Sequence, residues 1–415
     1  MSAAAQRRVE VVTFGCRLNL VESEAMRGLA TAEQGRDIVV VNTCAVTAEA
    51  ARQARQAIRR MKRERPERDI VVTGCAAQID PQGFADMPQV ARVLGNREKT
   101  AATAFSDGRR VAVGDIFAPG ADAPPAVTGL EDHTRAFLAI QNGCDHRCTF
   151  CIIPYGRGAS RSLDPESVVA GARRCAEAGF REIVLTGVDL TSYGRDLAEG
   201  PTLGQLVKAI LAAVPGLPRL RLSSIDCIEA DADLLDAIAH ERRFMPHLHL
   251  SLQSGDDLIL KRMKRRHDRA FAVEFCRDLQ RLRPDLVFGA DLIAGFPTET
   301  EAMFENSLRL VEDCGLTHLH VFPFSPRPGT PAAKMPQVET ARVKARAQRL
   351  RAAGEAALRR HLDAQIGRRL RLLTERNGLA RAEDFTPARL PGPPPGQIVE
   401  ALITGHDGER LVARA

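Results

Sequence analysis

The chain has 415 residues, with no tryptophan, two tyrosines, and 58 lysines and arginines against 52 acidic residues, a formal charge of +6. That length exceeds one ordinary domain and predicts two or three of about 150 residues each, while so small a net charge decides nothing between a nucleic-acid and a protein partner. Ten cysteines, with no charged-then-apolar leader and no apolar run long enough to cross a bilayer, predict a reduced cytoplasmic protein without membrane association, whose cysteines bind metal or pack rather than pair.

Three β-branched runs, at 9–16, 37–44 and 69–75, alternate with helical stretches. They predict a parallel sheet covered on both faces, whose ligands gather at the carboxyl ends of the strands. Each run ends in a cysteine: Cys16, Cys44 and Cys75. One such cysteine reads as a small buried residue; three in register, with no fourth, read as an open iron–sulfur site. The stretch 52–65 carries seven basic residues against Glu64. It is either a solvated helix face or a phosphate grip beside the cluster, with Arg55, Arg59 and Arg63 as its candidates. Residues 119–131, rich in Pro, Gly and Ala, read as a linker.

From Ala136 the alternation resumes for six units, with strands predicted near 136–142, 182–190, 219–226, 247–254, 286–296 and 318–324. Six parallel strands with crossover helices predict a curled, incomplete barrel that works at its carboxyl edge. The first strand leads into Cys144, Cys148 and Cys151 at C-x3-C-x2-C spacing. A loop this compact can wrap three thiolates around one face of a cubane cluster and leave the fourth iron open. A zinc knuckle is the alternative, but zinc wants a closed set of four ligands and His146 lies too close between the cysteines to complete one. The later strand ends at 186–189, 223–226, 251–255 and 291–297 carry glycine or polar residues, as a bound cofactor would need. Cys175, Cys276 and Cys314 fall on helices and read as structural; Cys227 follows a strand end with no partner near it in sequence. A long arginine-rich helix after Pro336 leads to alternating runs at 369–374, 379–382, 397–404 and 411–413, which predict a small β-barrel, an RNA-binding or interaction module.

These residues together resemble the radical S-adenosylmethionine methylthiotransferases that modify tRNA, over nearly the whole chain. The resemblance rests on 15–19, 41–47, 73–78 and 148–158; within the family, 13–16 and 322–330 are most similar to the branch acting on N6-threonylcarbamoyladenosine beside the anticodon. It implies an α/β protein in three parts: an amino-terminal cluster domain (1–118), a partial (βα)6 radical barrel (132–364) after the linker, and a TRAM-like β-barrel (365–415). It implies two [4Fe–4S] clusters. Cys144, Cys148 and Cys151 would hold the one that cleaves S-adenosylmethionine, and Cys16, Cys44 and Cys75 an auxiliary one that carries or donates sulfur. Phe150, Gly187, Ser251, Gln253, Arg265, Ile293 and Gly295 are the implied cofactor contacts. The implied partners are the tRNA anticodon loop, a reductant such as flavodoxin or ferredoxin and a sulfur donor, with the protein a monomer. Arg157 is either a handle for the threonyl carboxylate or a brace for the loop. Sister branches act on isopentenyladenosine or on an aspartate of a ribosomal protein, and a non-catalytic iron–sulfur RNA-binding protein is a reading of another class. The tail, with eight arginines against six acidic residues, favours RNA.

Overall fold

A computed structural model describes residues 9–32, 37–101, 103–105, 108–118 and 133–415. The expected linker at 119–131 lies outside the described residues. The first sheet has five strands, all parallel and in chain order: β1 (Glu10–Thr13), β2 (Ile38–Thr43), β3 (Asp69–Gly74), β4 (Arg92–Leu94) and β5 (Val111–Ala112). Every residue of β2 is buried, as its unbroken IVVVNT run requires of a strand covered on both faces. Helices α1 (Arg17–Ala32), α2 (Ala48–Glu64) and α3 (Cys75–Ile79) follow the first three strands. Thr47 caps α2 by accepting the Ala50 amide at 3.1 Å, the hydroxyl cap that starts a helix at the sheet edge.

The second unit opens with β6 (Ala136–Ala139) and a short antiparallel pair, β7 (Gln141–Asn142) and β8 (Arg161–Ser162). It continues with β9 (Glu182–Thr186), β10 (Arg219–Leu222), β11 (His247–Gln253), β12 (Val287–Ala294) and β13 (Leu316–Pro323). The six parallel strands run in the order β6-β9-β10 and β11-β12-β13, and bridges from Leu220 to Phe244 and from Ile225 to Leu250 join the halves. This is the partial barrel expected from the sequence. Alternation along β11 and β12 sends Leu248, Leu250, Leu252, Phe288, Ala290 and Leu292 into the main core, while His247 and His249 face His318 and His320 at ring separations of 5.7 and 4.6 Å. Leu18 and Val21 of α1 pack on Phe137, Ala139 and Val184, so the amino-terminal unit seats a helix against the barrel.

The helix Thr340–Asp363 lies along β13 and buries Ala347, Leu350 and Ala357 in the main core and Leu362 in the core of the tail. The tail is a closed barrel of β14 (Arg369–Thr374), β15 (Leu379–Ala382), β16 (Pro387–Arg389), β17 (Ile398–His406) and β18 (Leu411–Arg414), sealed by the parallel pair β16–β18. Only β16 was not expected. It is three residues long and starts with Pro387, which cannot donate to a ladder and gives no alternating signal.

Candidate active site between two cysteine triads

The ends of the first three strands are laced by short polar side chains. Asn19 Nδ2 donates to the Phe14 carbonyl at 2.7 Å and to the Thr43 carbonyl at 3.1 Å, and Asn42 Nδ2 donates to the Asn19 carbonyl at 3.0 Å. Thr43 Oγ1 donates to the Thr73 carbonyl at 2.6 Å and accepts the Ala77 amide at 3.2 Å. Gly15 has φ +100°, and a Cβ there would stand 2.7 Å from Cys44 Cβ and 2.9 Å from its Sγ, so only glycine allows this approach. Cys16, Cys44 and Cys75 thereby come together at the carboxyl edge, Cys44 and Cys75 buried and Cys16 exposed. Burial pushes the Cys44 thiol up to about 11, and the neighbouring Cys75 and Cys16 add to the rise.

Beneath this triad lies a buried ion cluster. Arg157 is 1% exposed, Glu22 2% and Lys99 fully buried. Arg157 grips both Glu22 oxygens at 2.9 and 3.0 Å, Lys99 Nζ reaches Glu22 at 2.6 Å, and the oxygens of Asn142 and Asn19 accept from Arg157 Nη1 and Nη2 in turn. Burial opposes the Glu22 charge, yet Arg157 and Lys99 hold its carboxyl down at about 2. Burial likewise opposes the Arg157 charge, but Cys75, Glu22 and Cys16 raise its pKa. The expectation that Arg157 is a handle for the substrate is therefore corrected: buried, with both Nη groups paired, it is the brace of the alternative reading.

The antiparallel β7–β8 pair pinches the second triad's loop at its base. Gln141 donates to the Gly143 carbonyl at 2.8 Å and to Ser160 Oγ at 2.9 Å, and accepts the amides of Val188 and Asp189 at 2.9 Å each. Thr149 ties the loop to the turn after the fourth barrel strand, its amide donating to the Met263 carbonyl at 3.1 Å and its hydroxyl to the Arg262 carbonyl at 2.8 Å. His146 pairs with Asp189 at 2.9 Å and Glu229 at 3.4 Å, and these carboxylates raise its pKa to about 9. Although Cys144, His146 and Asp189 lie close enough to group around one ion, an imidazolium so engaged does not complete a zinc set. Arg265 Nη1 stands 3.9 Å from Cys148 Sγ, and its Nη2 binds Asp226 at 2.8 Å and the Ser251 carbonyl at 2.7 Å.

The two triads are neighbours. A Cβ on Gly156 would stand 3.0 Å from Cys75 Cβ, and Asn96 Nδ2 bridges Cys75 Sγ at 3.7 Å and the Gly156 carbonyl. Burial raises Cys151 to about 12, with Cys148 and, from the other triad, Cys75 adding to the rise. These donor sets fit two iron–sulfur clusters: each offers three thiols and no disulfide, and the two buried cations beside Cys75 exceed their one carboxylate, as an anionic thiolate-bound cluster would require.

Among the remaining expected contacts, two glycines are hemmed in by the protein itself. The space beside Gly187 holds Gln141 Oε1 and Leu190, and that beside Gly295 holds Val343. Ile293 is buried, Gln253 has φ +68°, and Phe150 packs edge-on against Phe296 at 6.5 Å. Of the α2 arginines, Arg55, midway along the helix, pairs with Asp80 at 2.7 Å. Arg59 and Arg63 are exposed further along the helix, about 16 and 22 Å from its first residue at 1.5 Å per residue, and are not brought to the triads. Glu22, Lys99 and Asn96, essential to this arrangement, carry no spacing signal and were missed; Gln141, at the end of a predicted strand, was readable only as a strand residue.

A parallel partial barrel with a three-cysteine loop at its carboxyl edge defines a radical S-adenosylmethionine enzyme. The Radical SAM superfamily matches residues 138–311, and an uncharacterized protein family, UPF0004, matches residues 8–95. The chain is 48% identical to the threonylcarbamoyladenosine tRNA methylthiotransferase MtaB of Rickettsia prowazekii, over 96% of this chain and 95% of that one. It is 33% identical to the MtaB of Aquifex aeolicus, over 95% of this chain and all of that one. Among solved structures, the radical S-adenosylmethionine methyltransferase TsrM of Kitasatospora setae superposes with a TM-score of 0.54 at 16% identity, covering 77% of this chain and 75% of that one, a likeness of fold. The chain belongs to the MtaB family of radical S-adenosylmethionine methylthiotransferases. S-adenosylmethionine and [4Fe–4S] clusters are its cofactors.

Proposed function

We propose that the protein is a tRNA N6-threonylcarbamoyladenosine 2-methylthiotransferase, which places sulfur and a methyl group on C2 of the modified adenosine at position 37, beside the anticodon. The observation that carries this reading is the abutment of the triads, Cys75 lying against the turn of helix that follows Cys151. Cys144, Cys148 and Cys151 would hold a cluster able to supply the electron for cleavage of S-adenosylmethionine, and Cys16, Cys44 and Cys75 one that would carry or donate sulfur.

The chain's own residues prepare that encounter. Asn19, Asn42 and Thr43 fix the three strand ends relative to one another, Gln141 and Thr149 fix the loop, and Arg265 sets a positive charge by Cys148. At the rim, Phe117 and Tyr155 are 44% and 45% exposed and meet edge-on at 6.4 Å, with Arg147 over the Phe117 ring at 5.9 Å. An exposed aromatic pair beside a guanidinium suits the unstacked bases of an anticodon loop. No helix among the described residues is long and apolar enough to cross a membrane. The enzyme works in the cytoplasm as a monomer, with a reductant such as flavodoxin or ferredoxin and a sulfur donor, and its domains span 1–118, 132–364 and 365–415.

The test is nucleoside mass spectrometry after incubating reconstituted enzyme, reductant and S-adenosylmethionine with tRNA. The expected product is the 2-methylthio form of threonylcarbamoyladenosine, with plain adenosine and isopentenyladenosine left alone. Turnover on isopentenyladenosine, or on a ribosomal protein instead, contradicts the substrate assignment.

A further inference from the structure

The loop that follows β13 spans both triads. Ser325 Oγ accepts the Ala48 amide at 3.2 Å, four residues beyond Cys44, and the Ala332 amide donates to the Thr149 carbonyl at 2.9 Å, one residue beyond Cys148. Phe324 anchors it on Phe296, 5.5 Å away, which in turn packs on Phe150. Arg327 stands between these two anchors. Its carbonyl accepts the Thr330 amide at 3.1 Å and the Thr330 hydroxyl at 2.8 Å, which fixes the turn, while its half-buried side chain has no hydrogen bond or ion pair among the described residues and its Nε is buried without a partner.

The other arginines of the site are differently placed. Arg157 is held by Glu22, Arg265 and Arg266 by Asp226, and Arg55 by Asp80. Arg327 feels Cys44 and Arg55 as its nearest charges, and burial lowers its pKa. A guanidinium whose buried Nε meets no acid leaves a strong bidentate site unfilled, and this one is carried by the loop that links the two triads, within electrostatic reach of Cys44.

We propose that Arg327 grips the carboxylate of the threonylcarbamoyl group and selects substrates whose N6 substituent is anionic, an assignment that rests on the substrate read above. A tRNA phosphate presents the same oxygen chemistry, so the test separates the two sources. Wild-type enzyme, Arg327→Gln and Arg327→Lys are assayed on tRNA carrying threonylcarbamoyladenosine and on the same tRNA with that carboxylate converted to its methyl amide. For wild type, KM for the acid should be about 10- to 100-fold lower than for the amide, the range of a charge-assisted pair. Arg327→Gln should bring that ratio close to one, and Arg327→Lys should keep part of it, both with wild-type iron content and melting temperature. A ratio preserved in Arg327→Gln overturns the proposal, as does an equal rise of KM for acid and amide, which would mark a phosphate contact or a loop brace. Wild-type enzyme that modifies neither tRNA but turns over isopentenyladenosine overturns the underlying substrate reading, and the proposal with it.

Discussion

Arg157 shows how much of this site is electrostatic bracing. Two cations, Arg157 and Lys99, share one carboxylate, Glu22, below 3% exposure, and a buried charge deprived of its partner costs about 3–5 kcal/mol. Arg157→Gln removes the bidentate grip on Glu22 and the links to Asn19 and Asn142. It is expected to lower the melting temperature of the cluster-free protein and to cut iron at the amino-terminal triad, with Arg157→Lys losing less because it keeps the charge but not the fork. Wild-type melting and full iron in Arg157→Gln would contradict the bracing role. The six cysteines were legible in the sequence because spacing and strand ends place thiols without reference to anything distant. Arg157 stood in a readable motif, yet its partners Glu22 and Asn19 come from α1, and Lys99, which shares Glu22 with it, from the turn after β4. No local pattern reports that three charged residues from separate segments will be buried together.

The docking of the tail barrel is decided by one turn. Phe385, with φ +73°, stacks on His247 at 5.0 Å, and Arg17, Arg135, Arg221 and Arg381 surround its ring at 5.6, 5.2, 4.9 and 4.3 Å. Behind it, burial pushes His318 down to about 4, with His361, Arg381 and His249 adding to the fall and Asp384 opposing it. Because the folded value lies below the ordinary 6.5, the fold favours neutral His318. Its contribution is whole above pH 6.5 and is lost as the pH falls toward 4, by up to about 3 kcal/mol. Asp384, held at about 2, stays charged through that window, whereas Glu299, raised by burial to about 7, titrates in the opposite sense. The contrast is therefore read locally, as hydrogen exchange of β14 to β18 at pH 7.5 and pH 5 in wild type and His318→Asn. Lower protection factors at pH 5 than at pH 7.5 in wild type, after correction for the intrinsic fall of amide exchange with pH, are expected, and the difference should be flattened in the variant; identical profiles would contradict it. The strands of this barrel were legible as alternating runs except β16, whose Pro387 hides it, and β4 and β5 escaped notice at three and two residues. On the arginine-rich helix, Arg346 and Arg349 are taken up by Glu299, Glu301 and Glu305, partners that lie outside any local pattern.

At the scale of the whole molecule, two parallel sheets turn their carboxyl edges toward one place, with α1 seated against the barrel and α3 against the turn after Cys151. The fold of each unit follows from local periodicity, whereas their juxtaposition depends on contacts more than a hundred residues apart, such as Arg157 with Glu22, which periodicity does not encode. The central claim is that each triad holds its own cluster and that only Cys144, Cys148 and Cys151 serve cleavage of S-adenosylmethionine. The most direct test is the iron content and the reductive cleavage of S-adenosylmethionine in the anaerobically reconstituted protein with Cys16, Cys44 and Cys75 all replaced by alanine. Iron should fall from about eight to about four per chain, at four per cubane, with cleavage retained. Loss of cleavage with all the iron still bound would contradict the assignment of the two triads.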